Sequence, residues 1–122
     1  MLADHEAHEA AAAAIAGSAA GLAGHAWFET YSVLTRLPPP RRRTPDEVGR
    51  SLAENFPSTV WLSEAGAANL ARRCAELGIA GGSIYDAVIG AVAVEHQLPL
   101  LTRDRRALGT YQAVGAEVRV VE

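Results

Sequence analysis

An α/β fold, with a parallel sheet and helices on both of its faces, is what this chain predicts. Three observations carry that reading. Short β-rich runs at residues 59–62, 98–102 and 117–121 alternate with helical segments, the pattern of strand–helix–strand units. Residues 83–96 form a helical segment that is apolar on nearly all sides, which places it centrally and buried. At 122 residues the chain has the length of one small domain, and no repeat or linker divides residues 1–122.

The elements follow in order. Residues 4–16 are rich in alanine, the best helix former, and Asp4 suits the cap, so a helix is predicted there. Residues 21–24 are short and only weakly strand-like. A helix over 25–37 has Ala26, Tyr31 and Leu34 among its buried candidates. The triple proline 38–40 stops it, because proline lacks the helical donor and biases its predecessor toward extended geometry. Thr44-Pro45-Asp46-Glu47 is a complete helix start, with a cap, a proline at the first position and acids in the first turn; that helix runs to about Asn55. Val60 and Trp61 give residues 59–62 strand character. Ser63 caps a helix reaching about Leu77, where Gly78 terminates it. The central helix 83–96 leads into a strand over 98–102, and a further helix starts at Asp104 or Arg105. A last strand covers 117–121.

Composition excludes several classes. Apolar residues make up 49% of the chain, which suits a globular domain rather than a disordered one. No apolar run spans a bilayer, and the N-terminus lacks a signal peptide's basic start and apolar centre, so the expected compartment is the cytoplasm. Cys74 falls on an apolar helix face with Leu70 and Leu77 and reads as a buried structural thiol. No Cys/His spacing suits zinc. The net charge of −3 does not advertise nucleic acid. All basic residues are arginine, whose guanidinium fork matches phosphate, although compositional bias toward arginine, alanine and glycine explains the total equally well.

Carboxylates carry the chemistry. Asp86 lies in the first turn of an otherwise apolar helix, where a carboxylate needs a partner. A divalent cation would be one; a shortened capping box with Ser83 is the other explanation. Asp104 directly follows the strand 98–102, at a carboxyl end of the kind where open α/β sheets bind ligands. It also suits an ordinary N-cap. Thr102 either hydrogen-bonds a carboxylate or metal-bound water or simply ends the strand. Glu29, taken alone, is an exposed helical acid with Arg36 as a weak same-face partner. The loop 38–43 presents Arg41, Arg42 and Arg43 on an extended proline frame, either as a phosphate-binding element or as a solvated charge run. Nucleotide-binding and serine-hydrolase motifs are absent. Gly81-Gly82 reads as a turn into the helix; His5 and His8 share a helix face without an obvious third ligand and read as exposed, and His25 and His96 lie near helix ends, where a charged imidazole suits only the C-terminal one.

At this point a resemblance enters. The segments HAWFETYSVLTRLP and GGSIYDAVIGAVAVEHQLPLLTRD resemble a PIN domain of the VapC toxin type, over essentially the whole chain after residue 2. The specific parts are E-x₆-RLP from Glu29 and the YDA…LLTRD pair holding Asp86 and Asp104. The resemblance implies a PIN-like three-layer α/β/α sandwich on a parallel sheet. It implies a Mg²⁺- or Mn²⁺-dependent ribonuclease acting on structured RNA, usually a homodimer, neutralised by a VapB-type antitoxin. It carries over Glu29, Asp86 and Asp104 as three of four acidic positions, and makes Thr102 a supporting residue. Arg41, Arg42, Arg43 and Arg103 become candidates for holding the RNA backbone.

The family pattern begins with a strand bearing a first metal-binding Asp, then a helix. Here Asp4 matches a position beyond that helix, so it is not assigned as a ligand. The expectation is of an N-terminally truncated domain, through a late start or as a remnant. The family's first strand lies in the middle of the sheet, so its neighbours are expected to lack a partner. The leading expectation is a Mg²⁺-dependent endoribonuclease toxin. The alternative is a weak or inactive module that binds an antitoxin; a DNA-cutting nuclease ranks below both.

Overall fold

The computed structural model of the protein describes residues 13–15 and 21–121. Two short strands, β1 (Ala13–Ile15) and β2 (Gly21–Leu22), lead to α1 (His25–Thr35) and α2 (Pro45–Asn55). Then come α3 (Glu64–Arg73), α4 (Ser83–His96) and β3 (Leu100–Thr102). A 3₁₀ turn over Arg105–Ala107 runs into α5 (Leu108–Ala113), and β4 (Val118–Val120) closes the chain.

The sheet order is β2-β1-β3-β4. β3 and β4 are parallel, with Leu100 opposite Val118 and Thr102 opposite Val120. Beyond β2, Ala23 pairs in parallel with Val60, and the Gly24 N–H donates to the Val60 carbonyl at 2.7 Å. β1 runs antiparallel to both neighbours: Ala14 lies opposite Leu22 on one side and Leu101 on the other. The sheet is therefore parallel except for its reversed middle strand.

This corrects two expectations. Residues 13–15 are strand, not the end of a helix; the rest of the predicted helix 4–16 lies outside the described residues. The middle of the sheet is also filled, so β2 and β3 do not lack a partner. Local propensity explains the error. Alanine favours helix by at most about 1 kcal/mol per residue, less than the cost of leaving two buried strand edges without hydrogen bonds.

Elsewhere local signals and structure agree. The Thr44 hydroxyl accepts from the Glu47 N–H at 3.2 Å, starting α2 where the proline pattern places it. Ser63 caps α3 by accepting from the Gly66 N–H at 3.0 Å. The helix ends sooner than predicted, at Arg73, and the chain turns to Gly78, whose φ of +70° suits glycine. Cys74 is partly buried beside Leu70 and Leu77, and its thiol donates to the Leu70 carbonyl. The loop 38–43 is a turn rather than an extended arm. The Arg41 N–H returns to the Pro38 carbonyl, and Arg42 Nε donates to the Leu37 carbonyl at 2.9 Å.

α4 serves two apolar clusters. Ile89, Val92 and Ala93 join the main core with Leu22, Leu52 and Leu100, while Ala87 packs with Leu70 and Val114 in a smaller one. That double duty is why the helix reads as apolar all round. It is not wholly buried, since Tyr85 and Val94 stand exposed. Where α4 meets α5, Gly90 allows contact that no larger residue would: a Cβ there would come within 2.6 Å of Val114 Cγ2. Gly90→Ala is expected to destabilise the fold by about 1–3 kcal/mol through overpacking, read as a lowered midpoint in denaturant unfolding. An unchanged midpoint would mean that α4 and α5 separate at little cost.

Candidate functional site

Two neighbouring pieces of backbone build the site. α4 brings Asp86 to its first turn, and the carboxyl end of β3 brings Thr102 and Asp104. Thr102 is buried, and its hydroxyl accepts from the Asp104 N–H at 3.0 Å. Its side chain also shares a hydrogen bond with the buried Tyr111 phenol, which burial pushes up to about 12. Thr102 thus ties the strand end to α5 and fixes the backbone of Asp104.

Asp104 does what a cap does: Oδ1 accepts from the Arg106 N–H at 3.0 Å. Its other oxygen, Oδ2, receives Arg106 Nη2 at 3.0 Å. The same guanidinium reaches Asp86 Oδ2 at 3.9 Å through Nη1. One cation therefore lies between the two carboxylates. The capping explanation fails for Asp86. Ser83 is already inside the helix, its hydroxyl donates to the Ala80 carbonyl, and the N-cap Gly82 offers no side chain.

Glu29 faces Asp86 across an open cleft of about 760 Å³ lined by His25, Glu29, Gly82, Ser83, Tyr85, Asp86 and Arg106. Its near neighbour is the His25 imidazole, one turn earlier, with Nε2 at 3.5 Å, rather than Arg36. Burial raises the pKa of Glu29, and Asp86 and Asp104 raise it further, against the opposing pull of His25 and Arg106. Burial raises Asp86 as well, with Arg106 opposing and Asp104 reinforcing. The three acids share one field of concentrated negative charge.

Among the described residues, no three His, Cys, Asp or Glu side chains stand close enough to hold a metal ion between them. Asp86 and Asp104 converge on Arg106, and Glu29 lines the same cleft as Asp86. The donor chemistry still fits Mg²⁺, which keeps several waters and is commonly held through one or two carboxylates. The Arg106 guanidinium offsets part of the charge of Asp86 and Asp104.

The structure separates the arginines. Arg106, not Arg103, reaches the carboxylates, while Arg103 is exposed just beyond Thr102. Arg41, Arg42 and Arg43 follow the C-terminal end of α1, whereas Glu29 is in its N-terminal half, and none of the three lines the cleft. Sequence reasoning also missed His25 and Tyr85. His25 was legible only as a residue one turn before Glu29, and Tyr85 as the neighbour of Asp86.

Comparison with known proteins decides the family. The PIN domain model matches residues 1–112. The chain belongs to the PIN-domain family. It is 43% identical over 120 residues to Ribonuclease VapC27 of Mycobacterium tuberculosis (strain ATCC 25618 / H37Rv), covering 98% of this chain and 88% of that protein. Over 118 residues it is 43% identical to Ribonuclease VapC40 of Mycobacterium tuberculosis (strain CDC 1551 / Oshkosh), covering 96% and 87% respectively. No solved structure is a significant match. No helix among the described residues is long and apolar enough to cross a membrane.

The raised pKa of Glu29 has a stability consequence. The folded state holds this proton more tightly than the unfolded chain, so its charged form weakens folding above the raised pKa. That cost fades as the pH falls below the ordinary carboxylate value of about 4. Without added metal, Glu29→Gln is expected to melt higher than the parent at neutral pH, with the gap closing toward pH 4. A gap that widens on acidification would show that Glu29 is stabilised by its surroundings instead.

Proposed function

We propose that this PIN domain is a Mg²⁺-dependent endoribonuclease, the toxin of a type II toxin–antitoxin pair. The observation carrying the proposal is the meeting of Asp86 and Asp104 on one cation, with Glu29 across the same cleft, in a chain 43% identical to two proteins named ribonucleases. Asp86 and Asp104 would hold Mg²⁺, or Mn²⁺, and Glu29 would engage it through water. When bound, such an ion supplies charge stabilisation at a scissile phosphate and a more acidic water.

The remaining work belongs to the chain. Thr102 and Tyr111 hold the Asp104 backbone in place. Arg106 sits at 77% side-chain exposure, so it can leave the carboxylates for a phosphate oxygen without breaking a buried pair. Glu29, lining the cleft with Asp86, is suited to orient a water or accept its proton. Arg41, Arg42, Arg43 and Arg103 lie outside the cleft, and in this reading they hold the RNA backbone at a distance from the reacting bond. A VapB-type antitoxin and a homodimeric state complete the proposal, and the expected compartment is the cytoplasm.

One observation favours the second reading, a weakly active or inactive module that binds an antitoxin: no three possible ligands cluster among the described residues. The two readings differ in a direct assay. Under the first, the purified chain cleaves RNA on addition of Mg²⁺, and Asp86→Asn lowers the rate by about 100-fold or more. Mg²⁺ also raises the melting temperature of the parent but not of Asp86→Asn. Metal-independent binding of antitoxin, with no cleavage by the parent, would select the inactive module. Undiminished cleavage by Asp86→Asn would remove this site from the chemistry.

A further inference from the structure

The carboxylate cleft has an aromatic wall that metal chemistry does not use. Tyr85 is 55% exposed at the start of α4, although it is among the largest side chains of the domain. Its ring lies parallel to the His25 imidazole, with planes 10° apart and centroids at 5.2 Å. The two residues are 60 positions apart in sequence and come from different helices. Each stands beside an acid: Tyr85 directly precedes Asp86, and His25 neighbours Glu29 one turn later. The stacked pair and the acids therefore line one cleft.

A second groove of about 390 Å³ continues past the first and shares His25 and Glu29 with it. Phe28, 54% exposed, and Arg36 line this extension. Along α1 and just past its end the lining thus runs from aromatic (His25, Phe28) to acid (Glu29) to cation (Arg36). A single exposed aromatic residue needs no explanation. Two that line adjoining grooves, Tyr85 in the first and Phe28 in the second, beside carboxylates and an arginine, match the parts of a single-strand binding groove.

We infer that Tyr85, backed by His25, is a stacking platform for an unpaired nucleobase next to the scissile phosphate. The new element is the residue: Tyr85 is where an unstacked nucleotide at the cut is held. This inference rests on the ribonuclease reading. The physical reason is access: a base inside a duplex has both faces covered, whereas a splayed base offers one to an aromatic ring. Stacking tolerates any base, so Tyr85 sets the secondary structure that is cut rather than its sequence. Phe28 and Arg36 give the adjoining nucleotide a ring and a cation in the second groove.

The test uses the full chain in EDTA, so that RNA is bound but not cut. Short single-stranded oligonucleotides carry 2-aminopurine at successive positions, and a duplex of the same sequence is the control. One position is expected to show quenched fluorescence. Tyr85→Ala removes that quenching and weakens single-strand binding by about tenfold, in line with the cost of losing one stacked base. Tyr85→Phe keeps both, and duplex binding is the same in all three proteins. Tyr85→Leu, which keeps apolar bulk without a ring, behaves like the alanine variant.

Quenching that survives in Tyr85→Ala, or equal weakening for single strand and duplex, would overturn the platform. If the parent cleaves RNA with Mg²⁺ while Tyr85→Ala binds single strands as the parent does, the platform fails and the ribonuclease reading stands. A parent that neither binds nor cleaves RNA removes both.

Discussion

The close approach of α4 to α5 is the constraint on which the site depends. Gly90 brings the Tyr111 backbone and Val114 against the helix, one turn after Asp86. Tyr111 in turn holds Thr102, and Thr102 holds the backbone N–H of Asp104. The separation of the two carboxylates is therefore set by apolar packing and a buried hydroxyl network. It is not set by the carboxylates themselves, which repel. Arg106 answers that repulsion at the surface, where its contribution is modest because water screens it.

Much of this could be read from the residues. The bounds of α2 and α4 follow from signals within a few positions: Thr44-Pro45, the acids behind them, and an apolar run starting after Gly82. Asp86 and Asp104 stood out because a carboxylate beside a buried helix or strand must be matched by something. What escaped was non-local. Ala13–Ile15 has the composition of a helix and the role of a strand, because a sheet with an open middle outweighs alanine's preference. The His25–Tyr85 stack joins residues that no sequence pattern relates. Prolines favour an extended proline-arginine loop, but one backbone and one side-chain hydrogen bond fold it back on itself.

Charge distribution links these features to activity. A net charge of −3 gives the domain no general attraction for nucleic acid. Any affinity for RNA must come from local arginines, from a cation in the acidic cleft and from contacts that do not depend on charge. An aromatic surface beside the acids supplies the last of these. The cleft thus sets acids, which disfavour phosphate, beside an arginine and aromatic rings, which do not.

The reversed middle strand gives the site a seam. β2 leads into α1, and so carries His25 and Glu29; β3 carries Thr102 and leads to Asp104. β1, three residues long, is what hydrogen-bonds these two halves of the sheet together. Local opening costs least where few bonds are broken. Fluctuation at β1 would change the distance between Glu29 and Asp104 while leaving each half folded. The geometry of the acidic cleft is in this sense a gauge of how firmly the sheet is closed at its centre.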